Sequence, residues 1–433
     1  MRVTSFTFAL LLLGSSLAVA AEPGATLLHN GKIYTVNEAQ PWASALVIDD
    51  EGSIVAIGDD DDIAEYVDDQ TEVVDLEGRL VLPGFQDTHA HVLDASSEAQ
   101  GDCQVSPQDD AAQWLEDLQA CNEKDDGEWL LGWGFSVHSL LEEEQTPREL
   151  LDSIITDRPV AIMEETSHSF WLNSKALEMA GIDDETENPE GGVILRDEAG
   201  HATGLLLDNA GDLALDKALP PSKALADIYY QAVLAGQDEL AKNGITSVAD
   251  ARVFWRRGHM EAWRRAAEKD ELTARTTLGL WAYPTLDDEE QLAELKSLYD
   301  PGSADSLLRV TQIKFYVDGI IHNTTARLQQ AYNQSLPGVE PKGLYYSARD
   351  ASNATAANWP TPVSICMSMP SATRLSAMRW TPLTPLGARA VIGLLTSNSW
   401  LSRIFRASSN RASSQTSSPA HISSHRFLRA TSR

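Results

Sequence analysis

The stretch Leu82-Pro83-Gly84-Phe85-Gln86-Asp87-Thr88-His89-Ala90-His91 constrains the fold more than any other part of the chain. It follows an apolar run (Val73, Val74, Leu76, then Leu80 to Leu82), breaks at Pro-Gly and ends in His-x-His. Side chains of a strand alternate faces, so His89 and His91 would point the same way from a strand end. Two imidazoles placed like this can grip a divalent metal. On spacing alone, two unrelated histidines in one strand satisfy the pattern as well.

The chain has 433 residues, enough to bury a large core and carry a small satellite domain. Residues 1–20 read as a secretory signal peptide. Arg2 is the charged start, Phe6 to Leu17 the apolar part and Ala18-Val19-Ala20 the small-residue cleavage site. The expected destination is periplasmic or secreted, with no membrane attachment after cleavage. Residues 21–80 read as a small N-terminal β-sandwich domain. Its short strands are Ala25 to Leu28, Gly31 to Val36, Ala45 to Ile48 and Ser53 to Ile57, punctuated at Asn30-Gly31 and Glu51-Gly52.

From 81 to about 346, strand-like and helix-like segments alternate, which predicts an α/β barrel. Candidate strands are Trp129 to Gly134, Val160 to Met163, Ile245 to Asp250, Leu278 to Trp281 and Val310 to Phe315. Candidate helices are Ser222 to Lys242 and Trp255 to Lys269. Thr186 to Asn209, rich in glycine and charge, is expected to be an insertion. Cys103 and Cys121 flank a helix-like stretch, Ala111 to Leu118. In an exported protein they could form a disulfide; two free buried thiols fit the same spacing.

The first motif resembles the first-strand motif of the amidohydrolase superfamily, metal-dependent hydrolases on a (β/α)8 barrel. Further motifs are similar to its amidohydrolase-3 (YtcJ-like) branch: His168-Ser169-Phe170-Trp171-Leu172-Asn173-Ser174-Lys175-Ala176-Leu177, Gly204-Leu205-Leu206, Gly244-Ile245-Thr246-Ser247-Val248 and Lys314-Phe315-Tyr316-Val317-Asp318-Gly319. The resemblance implies a (β/α)8 TIM-like barrel behind the small β-sandwich. It also implies hydrolysis of non-peptide, amide-type C–N bonds in a small molecule by metal-activated water. It places the metal, zinc by default, on His89, His91 and Lys314, the lysine as a carbamate; an ordinary strand-end lysine is the alternative. It puts His168 and Asp318 at the substrate, and leaves Asp250 to support the site by hydrogen bonds or simply to cap a turn. His29, His138, His201, His259 and His322 carry no motif.

The resemblance stops near residue 347. The family's remaining ligands and its general-base aspartate have no counterpart in this chain, so the catalytic base is unassigned. Residues 1–350 hold all 64 acidic residues and 24 of the 33 basic ones, a net charge of −40. That surface argues against nucleic-acid binding. Residues 351–433 hold nine arginines, no lysine and no acid, where a uniform spread would place roughly 15 acids.

A change of reading frame explains this tail. Taking the third base of each codon with the first two of the next, Ser364 to Thr373 can be re-read as Asp-Leu-His-Val-His-Ala-Ile-Gly-Asp. This is similar to the family's fifth-strand motif. Ala390 to Trp400 likewise permits Arg-His-Arg-Ile-Thr-His-Leu-Glu-Leu-Val, which resembles the sixth. Residues 81–346 would then be the first part of a barrel and 347–433 an out-of-frame, poorly ordered tail. The missing strands would leave a broad apolar face open. Two other readings stay open: a catalytically dead remnant, and a secreted binding module whose basic tail meets an acidic partner.

Overall fold

The computed structural model describes residues 26–59, 61–96, 101–316, 318–344 and 346, and the backbone of two further strands at 364–368 and 392–395. The expected signal peptide lies outside the described residues. The chain divides into two compact units, Met1–Gly84 and Phe85–Arg433.

The first unit holds two small sheets. One has the order β5-β4-β1-β6, from β1 (Thr26–His29), β4 (Ala45–Ile48), β5 (Ile54–Gly58) and β6 (Glu72–Asp75). The other has the order β3-β2-β7, from β2 (Lys32–Tyr34), β3 (Trp42–Ala43) and β7 (Leu80–Val81). The β4–β5 hairpin turns where Gly52 takes φ +82° and the Asp49 carboxylate accepts from the Glu51 and Ser53 amides. Ile33 and Ala43 of the smaller sheet share a core with Leu46 of the larger one.

The second unit holds two six-stranded sheets. The first has the order β19-β18-β17-β16-β15-β8, and all of its pairings are parallel. Its strands are β8 (Phe85–Ala90), β15 (Ile245–Val253), β16 (Arg275–Trp281), β17 (Leu308–Tyr316), β18 (Ser364–Ser368) and β19 (Ile392–Leu395). Four helices cover it: α1 (Val92–Ser96) after β8, α7 (Lys223–Lys242) before β15, α8 (His259–Glu268) before β16 and α9 (Asp288–Leu298) before β17. Helix α7 starts where the Ser222 hydroxyl accepts from the Leu225 amide. Its buried face, including Tyr229, Val233 and Leu240, packs with Trp263 of α8 and with Leu278 and Val310 of the strands.

The second sheet is mixed, with the order β13-β14-β12-β11-β10-β9. It is made by β9 (Cys103–Gln104), β10 (Leu130–Phe135), β11 (Val160–Glu164), β12 (Ser169–Leu172), β13 (Gly192–Arg196) and β14 (Ala202–Asp208). Five helices accompany it: α2 (Ala111–Asn122), α3 (Val137–Leu140), α4 (Pro147–Asp152), α5 (Ser174–Ala180) and α6 (Asp212–Ala218). Trp114, Phe135 and Trp171 meet edge to face in its core, with ring centres 5.5 to 6.2 Å apart. Asn173 is fully buried and saturated. It accepts from the amides of Val160 and Ala176 and donates to the carbonyls of Ile155 and Arg158. The Trp171-Leu172-Asn173-Ser174 motif is therefore a stitch between β11, β12 and α5.

Several expectations are corrected. Trp129 to Gly134 and Val160 to Met163 are strands, but of the second sheet rather than of the parallel one. The expected insertion Thr186 to Asn209 is ordered as the antiparallel pair β13 and β14. A strand buried on both faces reads as a plain apolar run in any α/β sheet, so periodicity could not say which sheet it joins. Cys121 lies inside α2, and it is bonded to Cys103. Within the tail, β18 and β19 extend the parallel sheet; the rest of it, on which the expectation of poor order falls, lies outside the described residues.

A hollow of about 380 Å³ runs along β8, β15, β16 and β17, with polar side chains such as Gln86, Thr88, Thr277, Arg309 and Gln312 in its lining. Among the described residues β8 pairs only with β15, which leaves Phe85 58% exposed at the sheet edge. Among the described residues no helix is long and apolar enough to cross a membrane.

Candidate metal centre and adjoining cavity

The carboxyl ends of β8 and β17 bring three of the predicted residues, His89, His91 and Lys314, together. His89 lies near the end of β8, and His91 follows that strand directly, with ring centres 5.4 Å apart and planes at 72°. Lys314 lies in the last turnless stretch of β17 and is only 1% exposed. Its Nζ sits 3.0 Å from His89 Nε2, although 225 residues separate the two. Parallel register makes this meeting possible, because Ala90 pairs with Asp250 and Trp281 with Lys314.

Both imidazoles are held neutral. Burial, then the Lys314 charge, pushes His89 down to about 4, against the opposing pull of Asp87. Burial also holds His91 well below the ordinary histidine value, helped by Arg252 and Lys314. Neutral imidazole is the form that offers a lone pair to a metal. His91 Nδ1 is buried without a hydrogen-bond partner, 3.8 Å from Asp94 Oδ2. Two imidazoles and a lysine nitrogen, one of them an orphaned buried atom, are a donor set that fits a divalent cation. Among the described residues no group of three or more His, Cys, Asp or Glu side chains could hold one.

Asp250 positions this set from β15. It accepts from Trp263 Nε1 at 3.0 Å and from the backbone N–H groups of Val92 and Leu93, the two residues after His91. Burial first, then Asp94, raises its carboxyl to about 7.

His168 comes from the second sheet, on the turn between β11 and β12. The buried Glu164 carboxylate accepts from the Thr166 amide (2.6 Å), the His168 amide (2.7 Å) and the Thr166 hydroxyl, and so ties the turn. Ser167 adopts φ +63° there. The His168 ring stacks on Tyr316 of β17, centres 5.6 Å apart, and its Nδ1 lies 3.2 Å from Asp208 Oδ1. Asp208 is itself strained, at φ +52° and ψ −129°. Such backbones cost on the order of 1–3 kcal/mol and persist where the surroundings over-determine them. Asp318 is buried but does not line the cavity; its Oδ2 accepts from the Arg327 amide at 2.9 Å.

A cavity of about 100 Å³ is walled by both sheets, with Leu93 and Asp94 in its lining. Asp94, Asp208, Arg252 and His259 reach it, and no motif in the sequence singled them out. Asp94 had one usable signal, its place three residues after His91. It binds Arg252 Nε at 3.0 Å. Burial pushes His259 down to about 4 against the pull of Asp94.

Residues 72–360 match the amidohydrolase family. The chain is 30% identical to YtcJ of Bacillus subtilis (strain 168) over 321 residues, 70% of this chain and 56% of that protein. It is 26% identical to the N-substituted formamide deformylase of Arthrobacter pascens over 295 residues, 67% of this chain and 54% of that protein. It thus spans a little over half the length of both. Among solved structures, an uncharacterized metal-dependent hydrolase from Pyrococcus horikoshii OT3 shares the fold. The TM-score is 0.56 at 23% identity, covering 79% of this chain and 65% of that one.

Proposed function

The chain belongs to the amidohydrolase family, and from that premise we propose a hydrolase for the C–N bond of a small amide-type substrate, with a divalent cation on His89, His91 and Lys314. The observation that carries this reading is the 3.0 Å approach of Lys314 to His89 across the parallel sheet. A name such as N-substituted formamide deformylase describes the same class of bond cleavage. We read the six parallel strands as the first six of a (β/α)8 barrel, and the two sheets of the first unit as its small β-sandwich.

A cation held there, zinc being the one such donors suit, would polarise the amide carbonyl and make water acidic enough to react near neutrality. The rest falls to the chain's own residues. His89 and His91 stay neutral and keep their lone pairs. Lys314 as a carbamate would have added CO2 to its neutral amine and released a proton, gaining anionic oxygens. Asp250 fixes the backbone after His91. His168, its Nδ1–H turned to Asp208, leaves Nε2 to accept a hydrogen bond from substrate. Export to a periplasmic or secreted location is part of the proposal, and the Cys103–Cys121 bridge supports it.

A second reading is favoured by the tail. No acid follows Asp350, the family match ends at 360, and strand β18 falls on the codons that re-read as a His-x-His strand. On that reading the frame changes between about residues 343 and 355, and this chain keeps half of a site. Metal analysis of the purified protein, paired with an amide-hydrolysis assay, separates the two. Tightly held metal with turnover overturns the remnant; metal-free, aggregating protein overturns the enzyme. Sequencing the gene across codons 340–360 tests the frame directly, and an undisturbed frame there refutes the account of the tail.

A further inference from the structure

The face of the parallel sheet turned away from its helices carries two arginines without an ionic partner among the described residues, Arg275 and Arg309. Strand register places them. Ser247 pairs with Arg275, and Thr277 pairs with Ala249 on one side and Arg309 on the other, so these side chains share one face. The alternate residues Val248, Leu308 and Val310 point the other way, into the core under α7 and α8. Arg275 and Arg309 are therefore diagonal neighbours on adjacent strands. A strand spacing of about 4.8 Å and a two-residue rise of about 6.6 Å put their backbones roughly 8 Å apart, a gap that two long side chains can close. Both line the hollow of about 380 Å³, together with Ser247, Thr277 and Gln312. The Arg309 guanidinium meets only the Ser303 and Ala304 carbonyls, at 3.4 and 3.3 Å.

Charge says what such a place would hold. Among the described lining residues Asp87 is the one carboxylate, and its Oδ1 already accepts from the His89 amide at 2.9 Å. Residues 351–433 contain no acidic side chain that could answer the two arginines. The chain as a whole carries a net charge of −31, a field that repels anions. An anion that stays here must be held by local contacts, not by general attraction. Guanidinium groups present paired N–H donors that fit carboxylate and phosphate oxygens, and the Ser247 and Thr277 hydroxyls add neutral donors. The volume falls within the range of small-molecule sites, about 300–1,000 Å³. Arg309 precedes Lys314 by five residues on β17, roughly 16 Å along the strand. The arginines thus stand toward the amino ends of the strands, away from the candidate metal centre at the carboxyl ends.

We infer that this hollow binds a small oxyanion of charge near −2, a phosphate group or a dicarboxylate, held by Arg275 and Arg309 with Thr277 between them. The site is separate from the candidate metal centre, and the inference does not depend on the hydrolase reading.

The test is isothermal titration of the full chain with inorganic phosphate, succinate and neutral succinamide, at low ionic strength in buffer stripped of metal on a chelating resin. At least one of the two anions should bind saturably, about tenfold or more tighter than succinamide. Tighter phosphate assigns a phosphoryl ligand and tighter succinate a dicarboxylate; both rankings support the site. Arg275→Gln and Arg309→Gln should each weaken the tighter anion about tenfold, and added salt should weaken it further. Arg256→Gln is the control. That side chain is exposed, lies over the Trp255 ring and is not in the lining, so binding should stay as it was. Binding of neither anion, equal binding of succinamide, or binding that survives the double variant Arg275→Gln with Arg309→Gln overturns the inference. If a variant fails to fold by circular dichroism, the comparison of succinate with succinamide on the unsubstituted chain decides alone.

Discussion

Breaking the Cys103–Cys121 bridge should loosen the second sheet by a calculable amount. The bridge closes 18 residues of chain and ties α2 to β9, a two-residue edge strand held to β10 by two residue pairs. Closing an 18-residue loop in the unfolded chain is worth about 3 kcal/mol. For a unit running from Phe85 to Arg433, at about 2.1 cal/mol/K of unfolding entropy per residue, that corresponds to a fall of about 4 °C in Tm. Cys103 is buried against Trp114 and Leu118. The double variant Cys103→Ala with Cys121→Ala therefore avoids burying a hydroxyl, and reduced unsubstituted protein serves as the second arm.

The assay is urea unfolding followed by fluorescence, with and without a phosphine reductant. It is preceded by thiol titration of denatured, unreduced protein. Of three cysteines, one should react, since two are bridged. Three reactive thiols, or a midpoint that reduction leaves in place, would refute the reasoning.

Asp250→Asn should flatten the pH dependence of stability. The folded-state carboxyl is raised from 3.8 to about 7, so its contribution is fully present below about pH 4 and lost as pH rises through 7. The loss is on the order of 4 kcal/mol at most, read from urea midpoints across that range in metal-free buffer. His89→Ala and Lys314→Met should each lower bound zinc in elemental analysis, and combining them should add little, because both belong to one site. The surface change His201→Ala is the control and should leave metal content as it was. Glu164→Gln removes the charged acceptor of the His168 turn, which should cost about 2 kcal/mol. It should also speed amide exchange at Thr166 and His168 relative to the rest of β11 and β12.

Much of this was legible because it is local. Ser222 starting α7, Gly52 turning the β4–β5 hairpin and the apolar run of β17 follow from capping, backbone freedom and strand pattern. The meeting of His89 with Lys314 was legible only through family motifs, since nothing in either local stretch points to a partner 225 residues away. The second sheet stayed hidden for a related reason. Leu130 to Phe135 and Val160 to Glu164 are parallel neighbours, as barrel strands would be, and only the antiparallel pairing of β11 with β12 sets them apart. Asp208, Arg252 and His259 carry no motif at all. Their role comes from facing one cavity, a property of tertiary packing that spacing along the chain does not encode.

The cavity is walled by two sheets that share no hydrogen-bonded ladder among the described residues. Phe170, Met163 and the His168 turn stand on one, while His89, Arg252 and Lys314 stand on the other. Mutation can therefore reshape the cavity from the second sheet and leave untouched the strand ends of the first. Residues 103–218 enter after α1 and leave before α7, so that half is one continuous block of chain. A lineage can acquire a new substrate by exchanging such a cassette between relatives, and a chimera carrying a relative's block on this chain's parallel sheet would be the laboratory form of that event.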